Sequence, residues 1–275
     1  MLSSSGTLNK NLNNPDWVVF DCRHDLIDLK KGEHQYREGH IQGAHFANLD
    51  IDLSGEKNGR NGRHPLPSPA AFLAFLGRHG VRAESHIVAY DDVGGQFAAR
   101  LWWMCRWVGL KQVSLLDGGI TKWIADGNPV STAVPVTRTV VLEGDRNPQM
   151  LITADELLAK LNTASLALID ARAPERFAGE IEPMDPIAGH IPSAKNHFYK
   201  NNLRADLTFK PIDELRAAFN ALTDGADDVV HQCGSGVTAC ANVYAMALAG
   251  FQNTKLYAGS WSEWVSDASR PVVTK

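Results

Sequence analysis

The sequence lacks several features that would place it in a specialised class of protein. Its 275 residues include only four cysteines, Cys22, Cys105, Cys233 and Cys240, and their spacing fits neither a CxxC motif nor a disulfide framework. No run of Lys or Arg is present, and the net charge of −4 argues against a nucleic-acid surface. No uninterrupted apolar stretch is long enough to span a bilayer, and residues 1–15 show no apolar signal-peptide core. We therefore expect a protein of the reduced cytoplasm that engages neither membrane nor nucleic acid.

The chain contains an internal duplication. Its length suffices for two domains of roughly 100–200 residues each, and a hydrophobic content of 44% supports ordinary globular cores. Three motifs of the first half return in the same order in the second: Asp21-x-Arg23 as Asp170-x-Arg172, Gly39-His40-Ile41 as Gly189-His190-Ile191, and Gly118 with Trp123 as Gly259 with Trp264. Ordered repetition of this kind indicates duplicated domains. The predicted limits are 1–130 and 151–275, joined by a linker at 131–150 that has no clear periodicity.

Within each half, short β-rich runs alternate with helical patterns. In the second half the patterns predict strands at 166–170, 229–232 and 256–257, and helices at 154–161, 212–222 and 237–249. Thr153 is the expected N-cap of the first of these helices. Such alternation predicts the α/β class, with a mainly parallel sheet flanked by helices in each domain. Reactive loops of such sheets lie at the carboxyl ends of strands.

Cys233 lies at such a strand end. A loop of small residues follows it, and a helical pattern begins directly afterwards. This order places the thiol near backbone N–H groups and the positive end of a helix dipole, which stabilise a thiolate. We predict that Cys233 is a nucleophile, with a buried inert cysteine as the alternative. Cys240, among small residues on the helix, is predicted to be a packing residue, with a resolving thiol as the alternative.

The run from Cys233 to Ala239, together with the duplicated motifs and a final Gly-x-x-x-x-Trp, resembles the two-domain rhodanese-like sulfurtransferases. The form Cys-Gly-Ser-Gly-Val-Thr is similar to that of 3-mercaptopyruvate sulfurtransferases, because thiosulfate-preferring members usually carry basic residues after the cysteine. The resemblance implies that a Cys233 persulfide passes sulfur to cyanide or to a thiol such as thioredoxin, with release of pyruvate and without a cofactor. Thiosulfate remains the alternative donor.

The resemblance also implies roles for other residues. Ser235 would act with His64 and Asp50, both from the first domain, as a relay that handles a proton or polarises the substrate carbonyl. Arg176 would bind the carboxylate of a keto acid, the alternative being a surface ion pair with Glu175 or Glu180 and their neighbours. The remaining loop residues would bind the substrate and persulfide through their backbone: Gly234, Gly236, Val237 and Thr238.

Two departures qualify these expectations. Many 3-mercaptopyruvate sulfurtransferases place a second arginine after Arg176, but residues 180–186 contain none, which leaves the donor preference open. The first half carries Asp91 where the second has Cys233. A carboxylate cannot hold a persulfide, so we expect the first domain to be catalytically silent.

Other classes of protein fit less well. A phosphatase of the Cys-x5-Arg type needs an arginine at the position of Ala239, whereas a non-catalytic rhodanese-like module remains a possible reading of the fold. Three histidines, His34, His40 and His45, lack metal-site spacing and are interpreted as loop and packing residues, so no metal is expected. A cluster of tryptophans is interpreted as core and interdomain packing: Trp102, Trp103 and Trp107.

Overall fold

Two parallel sheets contain most of the strands in the computed structural model, which describes residues 2–274. Unit 1 comprises residues 2–55, Pro67–Asn147 and Leu203–Phe209, and unit 2 comprises Glu56–Leu66, Pro148–Asn202 and residues 210–274. The limits predicted from the sequence put 56–66 in the first domain and 203–209 in the second. The structure assigns each segment to the other unit, because tertiary contacts rather than chain order define the units.

Unit 1 is built on a five-stranded parallel sheet. Its strands are β1 (Leu2–Ser3), β2 (Trp17–Asp21), β3 (His40–Ile41), β4 (His45–Phe46), β5 (His86–Tyr90), β6 (Val113–Leu116) and β7 (Val130–Ser131). Its helices are α1 (Ser5–Asn11), α2 (Lys31–Glu38), α3 (Pro69–Arg78), α4 (Ala98–Trp107) and α5 (Gly119–Ala125). The sheet order is β1-β6-β5-β2-β4, while β3 and β7 form a separate antiparallel pair.

Unit 2 has a four-stranded parallel sheet. Its strands are β8 (Leu166–Asp170), β9 (Lys195–Asn196), β10 (Asp228–Gln232) and β11 (Lys255–Leu256). Its α-helices are α6 (Ala154–Lys160), α7 (Pro174–Phe177), α8 (Ile212–Thr223), α9 (Ala239–Leu248) and α10 (Ser260–Trp264), and two short 3-10 helices cover Pro148–Met150 and Tyr199–Asn202. The sheet order is β11-β10-β8-β9.

The two sheets share one topology. The order β6-β5-β2-β4 of unit 1 returns in unit 2 as β11-β10-β8-β9, and every pairing between these strands is parallel. The edge strand β1, which pairs with β6, corresponds in unit 2 to a single parallel bridge from Leu151 to Leu256. The predicted duplication and α/β fold class are therefore confirmed.

Element ends differ from the sequence expectations by one or two residues, as is usual where ends fray. Strand β8 has the predicted limits, and Thr153 caps α6 in a reciprocal capping box with Glu156. Helix α9 begins at Ala239, two residues after the predicted start at 237. The N–H groups of Cys240 and Ala241 donate to the carbonyls of Val237 and Thr238, three residues back, so tighter turns precede the α-helix.

Both cores are built from aromatic and branched side chains. Trp102, Trp103 and Trp107 on α4 are buried, which confirms the core interpretation for these residues. In unit 2, Trp261 and Trp264 on α10 are fully buried in a cluster with Leu157, Leu168 and Val230, which fixes α10 beside β10. Full burial of one such side chain stabilises the fold by roughly 1.5–3 kcal/mol.

The repeated Asp-x-Arg motif makes the same contacts in both units. Arg23 pairs with the buried Asp21 and donates to the Gly39 carbonyl at 2.7 Å, and Arg172 pairs with Asp170 and donates to the Gly189 carbonyl at 2.8 Å. Each arginine thereby ties the end of a central strand to the Gly-His-Ile segment. Arg172 is thus a structural ion-pair residue, as expected.

Candidate active site

The loop 233–238 connects β10 to α9 in unit 2, and Cys233 is its first residue. The Cys233 side chain is buried, as are the loop residues through Val237. Gly236 needs its positive φ, and a Cβ there would also collide with the carbonyl oxygen of Ala258. The predicted order of strand, cysteine, small-residue loop and helix is therefore present.

The start of α10 sets the direction of the loop backbone. The N–H groups of Trp261 and Ser262 donate to the carbonyls of Cys233 and Gly234, each at 3.0 Å. The N–H of Cys233 donates to Ser260 Oγ at 3.0 Å, and this hydroxyl donates to the Tyr257 carbonyl at 2.9 Å. Because α10 holds the carbonyls of the first two loop residues, the loop backbone is already ordered before a ligand binds.

A serine–histidine pair lies in the same loop. His64 Nδ1 is 2.7 Å from Ser235 Oγ, and both side chains are buried. His64 belongs to the segment Glu56–Leu66 of unit 2, although the sequence predicts it as a residue of the first domain. Asp50 lies in unit 1, where its carboxylate is 3.6 Å from His24 Nε2. Its place as the third member of the relay stays a prediction.

Two guanidinium groups approach Gly234, the residue after the cysteine. Arg176 Nη1 and Arg63 Nη2 lie 3.3 Å and 2.9 Å from the position that a Cβ on Gly234 would occupy. Arg176 was singled out from the sequence, whereas Arg63 was not. The sequence shows Arg63 beside His64, but no local pattern indicates that residue 63 meets residue 234.

Carboxylates hold both arginines. Glu182 accepts from Arg176 Nη2 at 2.6 Å, and Asp185 pairs with Arg63 and lies 3.5 Å from Arg176 Nη2. The alternative considered for Arg176, an ion pair with Glu175 or Glu180 and their neighbours, is thus present, with Glu182 and Asp185 as the partners. Burial raises the pKa of Asp185 while the hydrogen bond from Arg63 acts in the opposite direction.

Glu182 also orders its own segment. It accepts the N–H groups of Met184 at 3.1 Å and Asp185 at 3.2 Å, and its carboxylate lies 3.5 Å from Arg172 Nη1. The stretch in which a second arginine was sought therefore supplies anions that position arginines from elsewhere in unit 2.

The equivalent loop of unit 1 is filled by its own first side chain. The carboxylate of Asp91, which follows β5, accepts four backbone N–H groups at 2.8–3.0 Å, those of Val93, Gly95, Phe97 and Ala98. Burial raises the pKa of Asp91, and the four hydrogen bonds lower it. This loop scaffold thus directs four N–H donors to the tip of its first side chain.

The remaining thiols differ in setting from Cys233. Burial raises the pKa of Cys22 and of Cys105 well above the usual value, which keeps both protonated. Cys240 is buried on α9, and its Sγ lies 3.3 Å from the Gly236 carbonyl. These contacts fit packing thiols.

The three histidines weighed as metal ligands have separate surroundings. His40 Nδ1 lies 2.7 Å from the Tyr36 carbonyl, His45 packs on Phe20 and His79, and His34 is exposed. Across residues 2–274, no group of three or more His, Cys, Asp or Glu side chains is arranged to hold a metal ion. In the same part of the chain, no helix is long and apolar enough to cross a membrane.

Comparisons with known proteins agree with the duplicated fold. The family model for the rhodanese-like domain matches residues 4–126 and 153–267. A Pseudomonas aeruginosa protein named as a probable 3-mercaptopyruvate sulfurtransferase is 47% identical over 277 aligned positions, which cover 99% of this chain and 98% of that protein. Thiosulfate sulfurtransferase of Bos taurus is 33% identical over 256 positions, with 91% of this chain and 85% of that protein covered.

Solved structures show the same similarity. The crystal structure of SseA from Escherichia coli, described as a 3-mercaptopyruvate sulfotransferase with the rhodanese fold, superposes with a TM-score of 0.83 at 30% identity. The superposition covers 94% of this chain and 98% of that one.

Proposed function

This chain belongs to the rhodanese-like domain family, and we propose on that basis that it is a sulfurtransferase that takes sulfur from 3-mercaptopyruvate through a persulfide on Cys233. The observation that carries the choice of donor is the hydrogen bond between His64 and Ser235 in the loop that begins with Cys233. A thiosulfate donor needs no proton transfer to its leaving group, whereas a pyruvate leaving group does.

In the first half-reaction the Cys233 thiolate attacks the sulfur of the donor. An S–S bond forms, the S–C bond of the donor breaks, and its electron pair leaves as the enolate of pyruvate. One proton then converts the enolate to pyruvate. We assign the handling of this proton, or polarisation of the keto group, to Ser235 with His64, and Asp50 is the proposed third member of the relay.

The loop backbone is the proposed binding site of the persulfide. The terminal sulfur of a Cys233 persulfide is separated from Cα by the same number of bonds as a carboxylate oxygen of Asp91. In unit 1 that carboxylate is held by four N–H groups of the equivalent loop. This parallel supports stabilisation of the persulfide anion by backbone N–H groups of the loop, among which Val237 occupies the position of the unit 1 donor Gly95. We propose Gly234, Gly236 and Thr238 as further contacts of the same loop.

Arg176 is the proposed contact for the donor carboxylate. Its Nη1 lies at Gly234, while Nε and Nη2 face Glu182. A guanidinium fixed in this way can donate to an oxyanion without losing rotamer freedom on binding. Arg176 is therefore proposed as a substrate-binding residue.

The second half-reaction returns the enzyme to its starting state. An acceptor thiolate, such as that of thioredoxin, or cyanide attacks the outer sulfur, and the Cys233 thiolate leaves. Sulfur is transferred without an external oxidant or a cofactor. We also propose a cytoplasmic location, supported by four cysteines that are all free thiols.

The test compares donors and cysteine variants in one preparation. The wild type should release pyruvate from 3-mercaptopyruvate with a higher kcat/KM than it releases sulfite from thiosulfate, and mass spectrometry should find one added sulfur atom on the Cys233 peptide. Cys233→Ala should lose both activities, whereas Cys240→Ala should keep them. A higher kcat/KM for thiosulfate would reverse the donor assignment. Equal, negligible turnover by the wild type and Cys233→Ala would identify a non-catalytic module.

A further inference from the structure

We propose that Arg63 is a second anion-binding arginine of this site, which grips the acidic group of the sulfur donor together with Arg176. The inference rests on the proposed function and adds a specificity-determining residue from outside the loop and from outside residues 180–186. The inference requires that the donor carry an oxyanion, such as a carboxylate or a group of similar geometry. Two guanidinium groups would hold this oxyanion between them.

The first argument is position. Arg63 Nη2 lies 2.9 Å, and Arg176 Nη1 3.3 Å, from the place of a Cβ on Gly234. Gly234 directly follows Cys233, so both cations border the residue next to the nucleophile. Only glycine leaves room for two guanidinium edges at this point without displacing one of them.

The second argument is an unsatisfied donor. Arg63 Nε is buried, and within residues 2–274 it has no hydrogen-bond partner. A buried guanidinium N–H without an acceptor is unfavourable, and an oxyanion placed beside it would remove that penalty. The Arg63 side chain as a whole is 23% exposed, so it is not sealed from solvent.

The third argument is how the arginine is held. Asp185 pairs with Arg63 through Nη1, so Nη2 is the terminal nitrogen that faces Gly234. The N–H of Arg63 donates to Ser262 Oγ at 3.0 Å, and the N–H of Ser262 donates to the Gly234 carbonyl at 3.0 Å. One residue of α10 thus fixes both the arginine segment and the nucleophile loop, which keeps their spacing constant.

The charges of the cluster allow an anion to bind. Glu182 and Asp185 balance Arg63 and Arg176, while Arg172 adds a cation that is paired mainly with Asp170. Glu182 accepts from Nε and Nη2 of Arg176, and Asp185 pairs with Nη1 of Arg63, so these carboxylates contact neither Arg63 Nη2 nor Arg176 Nη1. An incoming oxyanion would therefore meet the nitrogen atoms at Gly234 and need not displace either carboxylate.

The experiment uses the thiol as a reporter, so that it does not depend on sulfur transfer. Cys233 is alkylated with iodoacetate, which carries a carboxylate, and with iodoacetamide, which is neutral and of similar size, and the modified peptide is quantified by mass spectrometry. Arg63→Gln should lower the ratio of iodoacetate rate to iodoacetamide rate by about tenfold or more, since a lost charged contact changes binding by roughly that factor. Arg60→Gln, an exposed arginine of the same segment, should leave the ratio unchanged.

Kinetics provide the second readout. Arg63→Gln should raise KM for 3-mercaptopyruvate by about tenfold to a hundredfold with a much smaller change in kcat. Arg63→Lys keeps the charge but loses the planar guanidinium, so its KM should lie between those of the wild type and Arg63→Gln. An alkylation ratio that is equal in the wild type and Arg63→Gln overturns the inference even if the enzyme is active. A wild type that transfers no sulfur overturns the proposed function, and the alkylation ratio then still decides the role of Arg63.

Discussion

His64 Nδ1 lies 2.7 Å from Ser235 Oγ, although 171 positions separate the two residues in the chain. The contact forms inside unit 2, because the segment Glu56–Leu66 belongs to that unit. We propose that this buried serine–histidine pair handles a proton next to the sulfur nucleophile. The donors that use such a pair are those whose leaving group must be protonated.

Removal of the serine hydroxyl should therefore affect the two donors differently. We expect Ser235→Ala and His64→Asn to lower kcat for 3-mercaptopyruvate by about 10²–10⁴-fold, the range of general acid–base effects, and to preserve most sulfite release from thiosulfate. Since the two residues act as a unit, the double variant should be little slower than either single variant. Steady-state kinetics with both donors measure this.

An equal loss with both donors would contradict the proton-handling role and would indicate that the pair only shapes the loop. Persulfide formation on Cys233, followed by mass spectrometry with thiosulfate as donor, is the control that separates a distorted loop from a missing proton relay.

Arg176 should contribute mainly to donor binding. Arg176→Ala removes a guanidinium at Gly234 and should raise KM for 3-mercaptopyruvate by about tenfold to a hundredfold, which corresponds to a lost charged contact of roughly 1.5–3 kcal/mol. Initial rates over a range of donor concentrations give KM and kcat separately. An unchanged KM would exclude the binding role, and Arg60→Ala is the matched exposed control.

Asp91 should stabilise unit 1 and contribute nothing to sulfur transfer. Asp91→Ala leaves the N–H groups that the carboxylate accepts without a partner and should destabilise the protein by about 3 kcal/mol, since buried unsatisfied donors are costly. Asp91→Asn, which retains the shape and one acceptor oxygen, should be intermediate. Urea unfolding measures the change, and the kcat of the folded variant should match the wild type.

Acidification should destabilise unit 2 through His231, two residues before Cys233. Burial lowers the pKa of His231 to about 3, whereas the pKa of an unfolded histidine is near 6.5. Between pH values of about 3 and 6.5, His231 is protonated in the unfolded chain and neutral in the folded chain. The stability present above pH 6.5 is therefore lost as the pH falls, by about 1.4 kcal/mol per unit.

The check is urea unfolding between pH 7 and pH 4. Wild type and His34→Gln, a change at an exposed histidine, should lose stability along the same slope, and His231→Gln should lose less. Parallel slopes for wild type and His231→Gln would show that His231 does not set this dependence.

Much of the fold follows from local patterns. The alternation of buried strands and helices predicted β8 with its observed limits, and Thr153 marked the start of α6 because its hydroxyl satisfies a helix N–H three residues away. The repeated Asp-x-Arg motif predicted matching domains, since the same short-range ion pair ends the same strand in both. The start of α9 was misplaced by two residues because residues 237 and 238 accept hydrogen bonds from three residues ahead, a tighter turn that periodicity does not distinguish from an α-helix.

The sequence by itself determined the local setting of the proposed nucleophile, because strand, Cys233, small-residue loop and helix are contiguous and each is encoded by neighbouring residues. Only the tertiary structure decided which charges surround it. The pairing of Arg63 with Asp185, the approach of Arg63 to Gly234, and the choice of Glu182 as the partner of Arg176 depend on segments that meet when the loops of unit 2 close. Contacts of that kind arise from packing between distant segments, for which side-chain periodicity carries no signal.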